Sequence, residues 1–199
     1  MNPVIALVSA YLIGGIPFGY LIVKLATGRD VRTLGSGNIG ATNVLRTTGR
    51  AVAIITLLLD ILKGVVAVWL ADRLTGHSSL WMSAAALAVM FGHAYPVFLK
   101  FQGGKAVASF IGAFTYLTPL PLLAVLLVFV MVVAVTRYIS LGSILAAGLF
   151  PFAVWLILHP SAPVGIAALI SGAFIVYRHK ANLGRIRAGN EHVFNFGAR

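Results

Sequence analysis

Three polar stretches carry the residues that could do chemistry. The first, "GSGNIGATNVLR" from Gly35 to Arg46, combines Gly35, Gly37 and Gly40 with Ser36, Asn38, Thr42, Asn43 and Arg46, and contains no acid. Such glycines permit tight turns and bare backbone amides, which form anion-binding nests. The short side chains add donors, and Arg46 adds a planar fork suited to phosphate. The second stretch, "GHAYPVFLKFQGGKAVAS" from Gly92 to Ser109, sets Gly103-Gly104-Lys105 directly before an apolar run. A glycine pair and a lysine at a helix start predict a phosphate seat, with amides, dipole and ammonium pointing the same way. The third, "YRHKANLGRIRAGNE" from Tyr177 to Glu191, puts His179, Asn182 and Arg185 at i, i+3 and i+6, roughly one helix face. Arg137 and Ser140-Leu141-Gly142-Ser143 add a fourth polar piece. The competing reading is bland: interfacial loops with ordinary arginines, and a basic tail resting on lipid headgroups.

Other chemistries are excluded more firmly. The chain has no cysteine, so it has no disulfide, thiolate metal site or cysteine nucleophile. Its four acids, Asp30, Asp60, Asp72 and Glu191, are scattered, which speaks against paired-carboxylate catalysis. With no close-spaced histidine pair either, neither a metal nor another cofactor is expected. Leu99 and Ala106 stand where a Walker A loop needs glycine and Ser/Thr, so ATP hydrolysis is not expected. Phe98 and Met82 occupy the positions where a His-x-x-x-x-Asp acyltransferase needs aspartate after His93 or His77. No G-x-S-x-G elbow is present for a serine triad.

The elements that must position these groups are set by composition. Of 199 residues, 60% are hydrophobic and 10% charged, with a mean hydropathy of +0.99. A soluble core of this size could not hide so much apolar surface, so the solvent is lipid. One transmembrane domain over residues 1–199 is expected, all-α, with seven membrane-embedded helices near Pro3–Val23, Ala51–Ala71, Leu80–Leu99, Ala106–Thr118, Leu120–Thr136, Leu141–Leu158 and Val164–Tyr177. The fourth is short and need not cross fully; the sixth carries Pro151 and is a candidate for a kink.

Charge sets the orientation. With the N-terminus outside and seven crossings, the inner side holds Lys24, Arg29, Arg32, Arg46, Arg50, Lys100, Lys105, Arg137, Arg178, Lys180, Arg185, Arg187 and Arg199. Of the 15 basic residues only Arg73 falls outside, and Lys63 lies within a span. That asymmetry predicts a cytoplasmic C-terminus and puts every polar stretch on the cytoplasmic face. It also accounts for the net charge of +11 without nucleic acid. Asp60 and Lys63, one turn apart inside the second span, are either functional or a neutral ion-paired strut.

With these stretches in order on one face, the chain resembles the bacterial acyl-phosphate:glycerol-3-phosphate acyltransferase family, the PlsY family. "GSGNIGATNVLR" is similar to its first motif and "GHAYPVFLKFQGGKAVAS" to its second. "RHKANLGRIRAGNE" fits the H-x-x-N-x-x-R-x-x-x-G-x-E pattern of its third. One departure is Ala106, where many relatives carry glycine. The resemblance implies transfer of a fatty acyl group from acyl phosphate to the 1-hydroxyl of glycerol 3-phosphate. The products are 1-acyl-glycerol 3-phosphate (lysophosphatidate) and phosphate, at the first acylation step of phospholipid synthesis.

It further implies that Ser36, Arg46, Lys105, His179 and Asn182 hold glycerol 3-phosphate. Thr42, Asn43, Gly103, Gly104 and Ser143, with Asn38 beside them, would cradle the acyl phosphate. His93 would support the second motif's turn, and Arg185 and Glu191 would brace the tail. The general base is either His179 or the substrate's own phosphate. A monomer in the bacterial inner membrane is implied, working among membrane lipid without a cofactor. The competing function is a transporter or channel for a phosphorylated small molecule, which would use the same donors. Against it, these donors sit at one interface and not at mid-membrane.

Overall fold

In the computed structural model, residues 2–194 are described; Arg199, counted above among the cytoplasmic charges, lies outside them. The chain divides into two compact units, Met1–Leu117 and Thr118–Arg199. Among the described residues the regular structure is entirely helical.

The first unit holds six α-helices: α1 (Pro3–Gly15), α2 (Phe18–Thr27), α3 (Ala41–Thr47), α4 (Arg50–Thr75), α5 (Ser79–Ala94) and α6 (Val107–Leu117). Asn2 caps α1, its Oδ1 accepting from the Val4 amide at 3.1 Å. The segment expected as one helix over Pro3–Val23 is interrupted at Ile16-Pro17. Proline has no N–H to continue the ladder, and its ring clashes with a preceding carbonyl. α4, with 26 residues, is about 39 Å long and spans a hydrocarbon core of about 30 Å with length to spare. α6 has 11 residues, about 16 Å, and is too short to cross alone, as its sequence suggested.

Close backbone approach joins these helices. A side chain at Gly14 would run into the Val89 carbonyl, and one at Gly92 into that of Tyr11, so α1 and α5 meet through reciprocal glycines. Gly64 and Gly112 do the same for α4 and α6 against the Ser109 and Ile61 carbonyls. In a bilayer, where no hydrophobic force separates helix from lipid, such small-residue contacts supply the packing.

The second unit holds α7 (Pro119–Thr136), α8 (Ile139–Leu158), α9 (Ala162–Arg178) and α10 (Lys180–Arg187). Pro119 starts α7 at a position where its missing N–H costs nothing. α8 runs through Pro151 without a break in the helix. α10 is bent 54° from α9. Each of the seven apolar segments is thus mainly helical, the first broken at Ile16-Pro17 and the third, expected over Leu80–Leu99, leaving its α-helix after Ala94 ahead of Pro96. Among the described residues five spans are long and apolar enough to cross a membrane, or six if the bent α9–α10 pair is counted as one.

Candidate active site

The first loop is organised by a buried amide. After Gly28 ends α2, Asp30 caps a single 3-10 turn over Val31–Thr33 and receives the Arg32 side chain at 2.6 Å. The Arg32 guanidinium holds the Asp30 carboxyl below its ordinary range. The backbone then passes through Gly35 and Gly37, both with positive φ (54° and 71°), conformations that favour glycine. Asn43, 2% exposed, sits beneath this turn. Its Oδ1 accepts from the Ser36 amide at 2.8 Å, while its Nδ2 donates to the carbonyls of Asn38 (2.8 Å), Leu34 (3.0 Å) and Val31 (3.3 Å). Asn38 Oδ1 in turn accepts from the Gly40 amide at 2.8 Å. In this arrangement the Asn43 side chain and Asn38 Oδ1 brace the loop. Ser36 and Arg46 are exposed on it, and Thr42 is partly so.

In the second loop Gly103 and Gly104 donate their amides to the carbonyls of Ala94 and His93, each at 3.1 Å. They are glycines because nothing larger fits: a side chain on Gly103 would meet the His93 carbonyl, and one on Gly104 would meet the His93 ring at Nε2. The loop is thus folded back on the end of α5, and Lys105, partly exposed, follows from it. Ala106 then adopts φ +63° while fully buried, so this departure from glycine lies where a side chain is strained by about 1 kcal/mol.

His93 is 4% exposed. Its Nδ1 lies 3.1 Å from Ser109 Oγ and 3.7 Å from Asp60 Oδ1. Serine and aspartate thus share one ring nitrogen. A nucleophilic triad needs them on opposite nitrogens, so these three residues are not one. Ser109 carried no signal in the sequence, because its partner is brought to it by tertiary packing alone.

In the second unit Glu191, 6% exposed, is the hub. Its Oε1 accepts from Asn182 Nδ2 at 2.8 Å and Ser140 Oγ at 3.0 Å, and its Oε2 accepts from Arg185 Nε at 2.7 Å. Burial by itself would raise its pKa; the bonds from Asn182, Arg185 and Ser140 outweigh that and hold the carboxyl below the usual range. The tail is thereby closed onto the start of α8. Ser143, in the first turns of α8, donates its hydroxyl to the Ile139 carbonyl at 2.9 Å. His179, 3% exposed, stands at the α9–α10 bend with Nδ1 2.8 Å from the Ile175 carbonyl. A carbonyl only accepts, so Nδ1 carries the proton and Nε2 is the basic nitrogen of the neutral ring.

The family model for glycerol-3-phosphate acyltransferase matches residues 4–189. A glycerol-3-phosphate acyltransferase of Geotalea daltonii is 46% identical over 193 residues, covering 97% of this chain and 98% of its own. Another, from Geobacter sulfurreducens, is 45% identical over 194 residues, covering 98% of each. The crystal structure of PlsY, an integral membrane glycerol 3-phosphate acyltransferase, in its glycerol 3-phosphate form superposes with a TM-score of 0.92 at 37% identity, covering 98% of this chain and 96% of that one. Its lysophosphatidic acid form gives 0.88 at 36%. Matched nearly end to end by sequence and by helical architecture, this chain belongs to the glycerol-3-phosphate acyltransferase family of integral membrane enzymes.

Proposed function

We propose that this acyltransferase takes its acyl group from acyl phosphate and transfers it directly to the 1-hydroxyl of glycerol 3-phosphate. The observation that carries this reading is that no nucleophile is activated by a triad among the described residues. The chain has no cysteine, and its buried Ser109–His93 pair shares one ring nitrogen with Asp60. Acyl phosphate is a mixed anhydride with a good leaving group, so it needs orientation and charge stabilisation and no covalent acyl-enzyme. PlsY's glycerol 3-phosphate and lysophosphatidic acid forms support the acceptor and the product.

The hydroxyl oxygen attacks the acyl carbonyl carbon, the carbon–oxygen bond to phosphate breaks, and inorganic phosphate leaves. The hydroxyl proton passes to the substrate's own phosphate, whose second pKa, like that of a phosphorylated side chain, is near 6. The alternative acceptor is Nε2 of His179. Ser36, Arg46, Lys105, His179 and Asn182 hold glycerol 3-phosphate; Thr42, Asn43, Gly103, Gly104 and Ser143, with Asn38 beside them, form the acyl-phosphate cradle, and Lys105 meets developing phosphate charge. His93 supports the second loop; Arg185 and Glu191 brace the tail. One transmembrane domain, acting as a monomer, would carry this chemistry on the cytoplasmic face of a bacterial inner membrane, with the acyl chain in lipid. The charge asymmetry supports that orientation.

The test is direct. Purified protein in detergent, given acyl phosphate and glycerol 3-phosphate, should release equal amounts of lysophosphatidate and phosphate. Acyl-CoA should be inert or very poor. Efficient use of acyl-CoA, or a trapped acylated protein, would overturn the direct mechanism.

A further inference from the structure

Asp60 and Lys63 have no part in the chemistry above, yet both side chains are only 3% exposed within α4. Ionisable groups inside a membrane are costly, and a pair that only neutralised itself could be replaced by apolar residues with little loss. These two do more than neutralise each other. Lys63 Nζ lies 2.7 Å from Asp60 Oδ1 and also donates to the Ile16 carbonyl at 3.0 Å, where α1 breaks. The same Asp60 oxygen lies 3.7 Å from Nδ1 of His93, the atom that also meets Ser109 Oγ at 3.1 Å. His93 faces the second loop twice: its carbonyl accepts the Gly104 amide, and its ring fills the space that a side chain on Gly104 would need.

The orientation of a buried imidazole is set by what its ring nitrogens meet. A carboxylate beyond a ring nitrogen fixes a histidine in many sites, and outer partners of this kind commonly matter to function as much as the groups they hold. Here the chain of contacts runs from the α1 break through Lys63 and Asp60 to His93, and from His93 to the turn that delivers Lys105. We propose that Asp60, with Lys63 and Ser109, forms a positioning set that fixes the His93 ring and, through it, the Gly103–Lys105 turn for acyl transfer. This rests on the role assigned to Lys105 under the proposed function.

The test uses the full chain in detergent. The double variant Asp60→Leu/Lys63→Met removes both charges together, so neither is left buried alone. Ser109→Ala is the uncharged second variant should the first fail to fold. Two quantities are measured: hydrogen exchange of the amides across residues 102–105, and kcat with acyl phosphate and glycerol 3-phosphate. The expected result is exchange faster by about tenfold in that segment with α8 unchanged. The kcat should fall by about tenfold to a hundredfold at a near-native unfolding midpoint, because small misplacements of acting groups carry such losses. Adding either variant to His93→Ala should bring little further loss, since the effect passes through that ring. Exchange at the wild-type rate would overturn the proposal and leave Asp60–Lys63 a strut. Faster exchange with kcat unaltered would overturn it equally. The exchange measurement needs no turnover. A wild-type protein that made no lysophosphatidate would therefore refute the functional reading and not this one.

Discussion

Asn43 and Glu191 hold their surroundings in the same way by different means. Each is a buried side chain that gathers several hydrogen bonds and fixes a polar segment at the end of apolar helices. Asn43, in the first unit, is neutral and gathers backbone groups: the Ser36 amide and three carbonyls. Glu191, in the second, is charged and gathers side chains from Asn182, Ser140 and Arg185. The difference teaches what each polar segment tolerates. The hydrogen bonds of a neutral amide do not themselves titrate. A tail held by a carboxylate keeps its shape only while that carboxylate is ionised. In the first unit Ser36 and Arg46 are exposed and Lys105 is partly so; these are the residues proposed above to act.

Acting and holding residues should therefore fail differently, and the largest effect belongs to an acting one. Lys105→Ala should lose about a hundredfold in kcat/KM, roughly 2.7 kcal/mol of transition-state stabilisation, with its unfolding midpoint retained. Lys105→Arg should recover only part, because a planar fork replaces a compact ammonium. A folded Lys105→Ala protein within threefold of wild type would erase the division between acting and holding.

Glu191→Ala should show the reverse pattern. It removes charge-assisted bonds and should cost about 2 kcal/mol in chemical unfolding, with activity lost through the fold. Its pH dependence sharpens the contrast. The folded pKa of Glu191 is lowered, so its contribution is fully present above its unfolded pKa and is lost as pH falls through the folded value. Unfolding measured through the acid range should show wild type losing this contribution and Glu191→Gln lacking it.

Asn43→Ala should cost about 1.5 kcal/mol, since four neutral bonds are lost but some carbonyls recover water. Its pH profile should run parallel to wild type; a different slope would mean that the neutral hub is coupled to a titrating group. The smallest effect is expected at Ala106. Ala106→Gly relieves a positive φ of 63° and should stabilise the protein by at most about 1 kcal/mol, seen as a small rise in unfolding midpoint.

The positions of the helices were legible because lipid demands long apolar runs, and even the shortness of α6 could be read before its neighbours were known. The break at Ile16-Pro17 was overlooked, although proline announces it, because the apolar run continues on both sides. At the site, the residue types pointed to anions, but periodicity could not show where an amide points. Gly103 and Gly104 read as a phosphate seat from spacing alone; the carbonyls of Ala94 and His93 that take their amides have no sequence signature. Asn43 was hidden for the same reason, since its partners are mainly backbone groups. The bracing of Arg185 by Glu191 was anticipated only through family resemblance, because six residues of separation across a helix end carry no periodic signal.

The bond from Lys63 to the Ile16 carbonyl also has a consequence for biosynthesis. The break before Pro17 leaves that carbonyl with the Phe18 amide, 3.1 Å away, as its local donor in a segment apolar enough to cross the membrane. A carbonyl has two lone pairs, and polar groups left under-satisfied in hydrocarbon are costly. The second donor, the Lys63 ammonium, lies 47 residues further along the chain. The first span therefore gains its full set of hydrogen bonds only once the second hydrophobic stretch has joined it.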